Sequence, residues 1–294
     1  MRDIIDINSN DNSLFVTSQC NNRCLMCSQP PLCKNDIDFH FQRNLSLIST
    51  APKSITDIGI TGGEPTMLGI KLFDLIKEIR NHLPNTLIHI LSNGRAFADI
   101  LYTNIFSSVG TDNLLLGIPL HSDYSGDHDF ITQKVNSYDE TMKGLYNLDR
   151  YRLDIELRIV INKINYTRLP KLSAFIYKNL PFVKYISFIG MENTGYSIKN
   201  HKFIWIDPTE YKDELEYAVN ELAGWGMNVS IFNLPLCLIK ENLYPHARKS
   251  ISDWKTTYLT CCNSCQLKNE CCGLFNTSKN HSPQISPIQF ESLK

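Results

Sequence analysis

Three cysteines near the start of the chain have the spacing of an iron–sulfur ligand set. They are Cys20, Cys24 and Cys27, in the pattern Cys-x3-Cys-x2-Cys. A cubane cluster has four irons, and each iron takes one outer ligand, for which soft thiolates are preferred. Three thiolates in one short loop therefore hold three irons and leave the fourth open to another ligand. A zinc knuckle and three incidental thiols are the alternatives that the motif alone leaves open.

A second group of thiols lies near the other end of the chain. Six of the ten cysteines fall between positions 237 and 272. The spacing there predicts four metal-binding thiolates, which are Cys237, Cys262, Cys265 and Cys271. Four thiolates close either a tetrahedral zinc site or a second cubane. Cys261 and Cys272 are direct neighbours of these candidates and could replace them, while Cys33 has no assigned role.

A glycine-rich turn and an asparagine follow two strand-like runs. Gly62, Gly63 and Glu64 come directly after the run 55–61. Two glycines let a ligand approach the backbone, and the adjacent carboxylate can pair with an ammonium group. Asn93 follows the next run, at 87–91, in an Asn-Gly pair that either hydrogen-bonds a ligand or simply forms a turn.

Charged and polar side chains accompany the later strands as well. Arg158 lies inside the predicted strand 155–161, where a buried cation needs a partner. It could bind an anionic ligand or form a salt bridge with Glu156. Further polar candidates follow the fourth and sixth strand-like runs, at positions where parallel strands place ligands. They are His121, Ser122, Tyr124, His128 and Glu192.

The elements that must position these residues alternate along the chain. The predicted strands are 14–17, 55–61, 87–91, 114–120, 155–161 and 183–189. Apolar residues at three- and four-residue steps predict helices around 72–83, 142–148 and 169–176, and this alternation is typical of parallel strands joined by crossovers. The nearly continuous apolar strands suggest burial on both faces. We therefore predict an α/β fold, a partial (β/α)6 TIM-like barrel with a C-terminal cysteine-rich auxiliary-cluster region.

Composition and domain organisation agree with this interpretation. The 294 residues are 43% hydrophobic with a formal net charge of −1, so nothing argues for nucleic acid or a membrane as partner. The N-terminus lacks the apolar core of a signal peptide, which together with the grouped thiols predicts a cytoplasmic protein. We expect the barrel at 1–200, a helix, a strand and the auxiliary region at 201–279, and an extended or disordered tail at 280–294.

The cysteine loop and the glycine-rich turn together resemble the radical SAM superfamily. This resemblance implies that S-adenosylmethionine chelates the open iron of a [4Fe–4S] cluster on Cys20, Cys24 and Cys27. It also implies that Gly62, Gly63 and Glu64 hold the methionyl amine of the cofactor. The resemblance further implies that Asn93 hydrogen-bonds the cofactor and that Arg158 meets the cofactor carboxylate. His121 or Ser122 is the implied contact of the ribose. The C-terminal thiols resemble the auxiliary-cluster domains of SPASM and twitch type, which implies a second [4Fe–4S] cluster.

Several runs narrow the resemblance to the HxsC-type maturases of the His-Xaa-Ser peptide system. They include Met191-Glu192-Asn193-Thr194-Gly195 and Ser250-Ile251-Ser252-Asp253-Trp254-Lys255. A ribosomally made peptide or small protein is the implied substrate, with a partner maturase and an electron donor such as flavodoxin or ferredoxin. Two alternatives stay open. One is a radical SAM enzyme acting on a small molecule such as a nucleobase precursor, and the other is a non-catalytic iron–sulfur or zinc protein.

Overall fold

A parallel sheet of seven strands forms the centre of the computed structural model, which describes residues 5–9 and 11–290. The strands lie in the sheet in their order along the chain, so each crossover returns beside the preceding strand. They are β1 (Ser13–Phe15), β2 (Asp57–Thr61), β3 (Leu87–Leu91), β4 (Leu114–Pro119), β5 (Asp154–Val160), β6 (Tyr185–Ile189) and β7 (Val229–Phe232). The predicted α/β class is confirmed.

Helices connect the strands and cover one face of the sheet. They are α1 (Ile37–Thr50), α2 (Ile70–His82), α3 (Ile100–Ser107), α4 (Ser125–Thr132), α5 (Ser137–Arg150), α6 (Leu169–Asn179), α7 (Tyr196–Lys199), α8 (His201–Ile204) and α9 (Lys212–Gly224). Asp207 and Glu210 form a capping box at the short 3-10 helix that precedes α9. None of the helices in the described ranges is long and apolar enough to cross a bilayer.

The two faces of the sheet differ in chemistry. On one face, residues in register such as Ile60, Ile90 and Leu116 are completely buried in the main hydrophobic core. On the opposite face, His89 and Glu156 point away from that core, because successive side chains of a strand alternate. The expectation of apolar burial on both faces was therefore wrong. We call the second surface the polar face of the sheet.

The parallel sheet extends further along the chain than the sequence analysis predicted. It has seven strands and not six, since β7 pairs with Ile186–Ile189 of β6 and α9 packs against α6. The boundary predicted at residue 200 thus falls within the sheet domain. The edge strands β1 and β7 are not paired with each other in the described part of the chain. The closed shape implied by a barrel stays a prediction.

The C-terminal region packs against the sheet domain as an irregular segment. A two-residue antiparallel ladder joins β8 (Thr256–Thr257) to β9 (Leu274–Phe275). Residues 280–290 are extended rather than disordered, because Ser282 is buried and the Gln266 N–H donates to the Ile288 carbonyl over 3.0 Å. Residues 291–294 of the predicted tail, like 1–4 of the N-terminus, lie outside the described residues.

Candidate active site

The cysteine loop, residues 20–27, lies at the carboxyl edge of the sheet. The Val16 N–H donates to the Thr61 carbonyl over 2.9 Å, which continues the pairing of β1 with β2 up to the loop. Further along, the Arg23 and Leu25 N–H groups donate to carbonyls of α4 at 3.0 and 2.9 Å. The loop is therefore held from both sides by backbone hydrogen bonds.

The three thiols of this loop form one electrostatically coupled group. Burial raises the pKa of Cys20 to about 11, and the carboxylate of Glu64 and the thiol of Cys27 contribute to this rise. Burial also raises the pKa of Cys24 and Cys27, and Cys24 additionally experiences both other thiols. Such thiols stay protonated unless a metal cation stabilises the thiolate. The donor set fits a cluster with one open iron.

The side chains of the described residues do not form a site for a single metal ion. In the described ranges, no three cysteine, histidine or carboxylate side chains converge as ligands of one metal ion. A cubane does not need such convergence, since each thiolate binds its own iron.

The two glycines of the glycine-rich turn let it pack against the segment directly before the cysteine loop. The Gly63 N–H donates to the Thr17 carbonyl and the Glu64 N–H to the Gln19 carbonyl, both over 2.7 Å. A Cβ on Gly63 would lie 2.0 Å from the Gln19 carbonyl oxygen, and one on Gly62 would lie 2.6 Å from that of Thr17. From the sequence we expected these glycines to let a ligand approach the backbone. In the structure they also let two backbone segments pack closely together.

Replacing Gly63 by alanine is expected to separate the two loops. The added methyl group would meet rigid backbone, so we expect a loss of about 3 kcal/mol of unfolding free energy, the upper part of the overpacking range. Gly224→Ala is the matched control, because no atom lies within 4 Å of the position that its added methyl group would take. Anaerobic urea unfolding measures both variants. Equal midpoints would contradict the assigned contact.

Glu64 ties the loop after β2 to the loop after β3. Its carboxylate Oε1 accepts hydrogen bonds from the Thr66 N–H, the Thr66 hydroxyl and the Ser92 hydroxyl, at 3.1, 2.8 and 2.7 Å. Oε2 accepts one, from the Asn93 N–H at 2.7 Å. Burial raises the pKa of Glu64 despite these donors. Oε2 retains a lone pair that an ammonium ligand could use.

Asn93 and Arg95 hold the cysteine loop from the side of β3. The Asn93 side-chain amide donates to Asn21 Oδ1 over 2.6 Å. Arg95 Nη1 donates to the Asn21 carbonyl and to Asn22 Oδ1 at 2.9 and 2.7 Å, while its Nε pairs with Glu140 at 2.5 Å. We did not assign a role to Arg95 from the sequence, although its position directly after the Asn-Gly turn indicated that it could contact the same loop.

The titratable patch after β4 has mainly local structural contacts. The Ser122 hydroxyl caps the turn by accepting the Tyr124 N–H over 3.1 Å, and His128 Nδ1 accepts the His121 N–H over 3.2 Å. Burial, and then the neighbouring His128, lowers the pKa of His121 to about 3, so its ring is neutral. His121 Nδ1 is buried and has no hydrogen-bond partner among the described residues.

Arg158 pairs with Glu156 on the polar face of the sheet. Arg158 Nη1 donates to both carboxylate oxygens at 3.0 and 2.8 Å, and His89 Nε2 lies 2.9 Å from Oε2. The Ser187 hydroxyl donates to Oε1 over 2.5 Å. Gly117 makes this contact across β4 possible, because a Cβ there would lie 2.9 Å from His89 Nε2 and 3.0 Å from Arg158 Cδ. We call these charged and hydroxyl side chains the Glu156 cluster.

Electrostatics keep the carboxylate of the Glu156 cluster ionised. Burial alone would raise the pKa of Glu156, but the imidazole of His89, the charge of Arg158 and the hydroxyl of Ser187 together lower it to about 2. The salt bridge that the sequence left open for Arg158 is therefore present. Only Nη1 of the guanidinium is engaged among the described contacts, so its other nitrogens can donate to an anion.

The Glu156 cluster faces a cavity of about 680 Å³. Segment 249–253 forms the opposite wall, and the Ser252 hydroxyl donates to Asp11 ahead of β1. Glu192, a candidate from the sequence, lies outside this lining and accepts a hydrogen bond from Thr277 over 2.5 Å. A cavity of this size and polarity can accommodate a substrate side chain.

The C-terminal thiols also meet in one place. The four cysteines that line a single small cavity are Cys237, Cys262, Cys265 and Cys271. The two neighbours that could have replaced them do not line it: Cys261 is exposed, and the buried thiol of Cys272 donates to the Gly273 carbonyl over 3.4 Å. The four cysteines predicted from spacing therefore share one cavity, and their role as metal ligands stays a prediction.

Backbone groups and a neighbouring thiol are placed to stabilise thiolates in this cavity. The Gly273 N–H points to Cys271 Sγ at 3.5 Å, and the Ile288 N–H points to Cys265 Sγ at 3.3 Å. The neighbouring Cys272 thiol, together with backbone N–H groups such as that of Gly273, lowers the pKa of Cys271 to about 6 against the effect of burial. Partly buried thiolates with amide donors suit an iron–sulfur cluster, whereas a zinc ion would need the four thiols to converge more closely than they do among the described residues.

Comparison with known proteins places the cysteine loop in a recognised family. Residues 11–117 match the sequence family described as a 4Fe-4S single cluster domain. The cysteine-type anaerobic sulfatase-maturating enzyme of Clostridium novyi (strain NT) is 25% identical over 190 residues, which are 58% of this chain and 49% of that enzyme. The chain is thus similar to an iron–sulfur cluster domain through residues 11–117, and to a maturase over a longer stretch.

Solved structures show the same fold. Streptococcus suis SuiB bound to S-adenosylmethionine aligns with a TM-score of 0.56 and 15% identity, covering 75% of this chain and 50% of SuiB. The native enzyme anSMEcpe with bound AdoMet aligns with a TM-score of 0.57 and 17% identity, covering 74% and 62% respectively. This chain therefore spans about half the length of SuiB and of the Clostridium novyi enzyme.

Proposed function

We propose that this protein is a radical SAM enzyme that cleaves S-adenosylmethionine reductively and uses the resulting 5′-deoxyadenosyl radical to modify a peptide. The observation that carries the proposal is that Gly63 and Glu64 of the glycine-rich turn hydrogen-bond to the segment directly before the three-thiol loop. A [4Fe–4S] cluster bound to Cys20, Cys24 and Cys27 would supply the electron and the open iron. The protein's part is to bind, orient and shield the reactants.

Residues around the loop provide suitable groups for the cofactor. The free lone pair on Glu64 Oε2 suits the ammonium of the methionyl group, and the unpaired His121 Nδ1 suits a hydroxyl of the ribose. Asn93, Gly62 and Ser122 line the same strand ends and complete the proposed contacts. Arg158, held by Glu156, offers its remaining guanidinium donors to the carboxylate.

A peptide substrate is favoured by the relatives. SuiB has been solved bound to precursor peptide SuiA, and anSMEcpe has been solved with AdoMet and a Kp18Cys peptide. The HxsC-like runs narrow our proposal to a maturase of a His-Xaa-Ser-type peptide, acting in the cytoplasm with a partner maturase. The four C-terminal cysteines would hold a second [4Fe–4S] cluster, which could accept the electron that the product radical releases.

Cofactor binding tests the proposed pocket. Glu64→Gln and Arg158→Ala should each weaken S-adenosylmethionine binding about tenfold or more, because each removes a charge-assisted contact worth on the order of 1.5–3 kcal/mol. Calorimetry on cluster-loaded protein measures the affinity. The control is Arg150→Ala, an exposed residue at the C-terminal end of α5, which leads into the amino end of β5 and not its carboxyl end. Wild-type affinity in both site variants would mean that the pocket is misplaced.

A further inference from the structure

Two cavities adjoin on the polar face of the sheet. The larger is the cavity of the Glu156 cluster, and beside it lies a smaller cavity of about 360 Å³, whose lining includes Asp57, Gly59 and Trp254. The residues that line both spaces are Asp11, His89 and Leu91. Because the two cavities share this wall, one ligand with two arms can reach into both.

The smaller cavity depends on a glycine in β2. Gly59 is in register with His89 of β3, and both residues lie on the polar face. A Cβ on Gly59 would meet its nearest neighbour, the Ser13 Cβ, at 3.4 Å, which is an ordinary van der Waals contact. The space beside His89 is therefore open. Gln29, two residues after Cys27, lines the same cavity and brings it up to the end of the cysteine loop.

His89 lies between the two cavities with one ring nitrogen available. Its Nε2 is 2.9 Å from Glu156 Oε2, and an ionised carboxylate can only accept, so the neutral ring keeps its proton on Nε2. Nδ1 then carries a lone pair, and it makes no hydrogen bond to any residue that the structure describes. Such an imidazole can take up a proton, and the carboxylate of Glu156 stabilises the imidazolium that forms.

We propose that the protein joins two side chains of its peptide substrate, one in each cavity, and that His89 accepts the proton released as the bond forms. This inference deepens the proposed function and rests on it. The larger cavity receives the side chain that loses a hydrogen atom, because Arg158, the proposed contact of the cofactor, lines that cavity. The smaller cavity, with polar groups from Gln29, Asp57 and Lys255, receives a side chain with an N–H or O–H group.

The atoms and electrons of this reaction balance. One hydrogen atom passes from a C–H bond of the first side chain to the 5′-deoxyadenosyl radical, which becomes 5′-deoxyadenosine. The nitrogen or oxygen of the second side chain then bonds to the carbon radical while its N–H or O–H bond breaks. The proton goes to His89 Nδ1, and the remaining electron goes to the oxidised [4Fe–4S] cluster proposed at the C-terminal cysteines. The peptide thus gains one bond and loses two hydrogen atoms.

Filling the smaller cavity tests whether it holds a second side chain. Gly59→Leu places a side chain there while the larger cavity stays open. It should weaken binding of the co-encoded His-Xaa-Ser-rich precursor about tenfold by anaerobic calorimetry, because one peptide side chain loses its buried position. Gly224→Leu is the control, the same substitution where no atom lies within 4 Å of the added Cβ, and should bind like the wild type. Wild-type affinity in Gly59→Leu would overturn the proposal.

Mass spectrometry of the wild-type product tests the kind of reaction. We expect a peptide that lacks two hydrogen atoms and whose fragments show a link between two side chains. A change confined to a single residue would overturn the joining reaction. Absence of 5′-deoxyadenosine with the wild type would instead overturn the proposed function, while calorimetry would still report on the smaller cavity.

Replacement of the imidazole tests the proton acceptor. His89→Gln should lower the amount of linked peptide per 5′-deoxyadenosine about a hundredfold, at the lower end of what general bases contribute, and added imidazole should partly restore linking in His89→Ala. The control is His82→Gln, at the end of α2 that leads into the amino end of β3. Wild-type linking in His89→Gln, or no response of His89→Ala to imidazole, would overturn the role of His89.

Discussion

Replacing Cys20, Cys24 and Cys27 together by alanine is expected to abolish cleavage of S-adenosylmethionine completely. Anaerobically reconstituted wild-type protein should contain iron for two cubanes, and the triple variant should lose about half of it. The physical reason is that the cluster would lose all three of its thiolate ligands at once. Iron analysis and chromatography of 5′-deoxyadenosine measure the two effects.

A thiol close in sequence provides the control for this variant. Cys33 is exposed and lies six residues after Cys27. Cys33→Ala should retain both the iron content and the cleavage rate. Cleavage by the triple variant at the wild-type rate would show that the loop does not hold the catalytic cluster.

Replacing the four C-terminal cysteines by alanine is expected to uncouple the reaction. Cys237, Cys262, Cys265 and Cys271 line one cavity separate from the cysteine loop, so the variant should still form 5′-deoxyadenosine. It should not form modified peptide, because the product radical would lack the electron acceptor that we propose. Mass spectrometry of a co-encoded His-Xaa-Ser-rich precursor, incubated with cofactor and reductant, measures the modification.

Metal analysis of the same protein decides between iron and zinc at this site. Zinc has no accessible redox state, so it could tie down the C-terminal region but could not accept an electron. Cys261→Ala is the matched control, because this exposed thiol lies outside the cavity. One zinc per chain with iron for a single cubane, or full peptide modification by the four-cysteine variant, would contradict the auxiliary-cluster assignment.

The sheet was largely predictable because each strand is a short apolar run between polar turns. The predicted 87–91 coincides with β3, and the other predicted strands differ from the structure by a few residues at their ends. The seventh strand was recognised as a strand but placed in a separate domain. Only its pairing with β6 and the packing of α9 on α6 show that it continues the sheet.

The polar face was less predictable, although its signal was in the sequence. Glu156 and Arg158 are two residues apart and therefore lie on the same face of β5. Because the strands are rich in apolar residues, we did not recognise the alternation of polar and apolar side chains from the sequence. The contact of His89 with Glu156 could not be predicted, because it depends on the register of β3, β4 and β5 and on the absence of a side chain at Gly117.

Spacing groups Cys20, Cys24 and Cys27 in one loop, and their role as ligands stays a prediction. The contacts that hold the loop could not be predicted. Arg95 contacts the loop, and Gly63 contacts the segment just before it, from positions that become neighbours only once β1, β2 and β3 are paired. Similarly, the spacings of Cys271 and Cys272 from Cys265 differ by only one residue, so spacing alone did not distinguish the two cysteines. Burial of one side chain in the core distinguishes them.

We propose that the cysteine loop holds a cluster whose open iron binds S-adenosylmethionine. Electron paramagnetic resonance tests this directly on the reduced protein with the four C-terminal cysteines replaced. This variant should retain one cluster, on Cys20, Cys24 and Cys27. We expect S-adenosylmethionine to change the spectrum of that cluster, because the cofactor binds the open iron. We also expect 5′-deoxyadenosine and methionine to form in equal amounts. A reduced cluster whose spectrum is unchanged by the cofactor, with no 5′-deoxyadenosine formed, would contradict it.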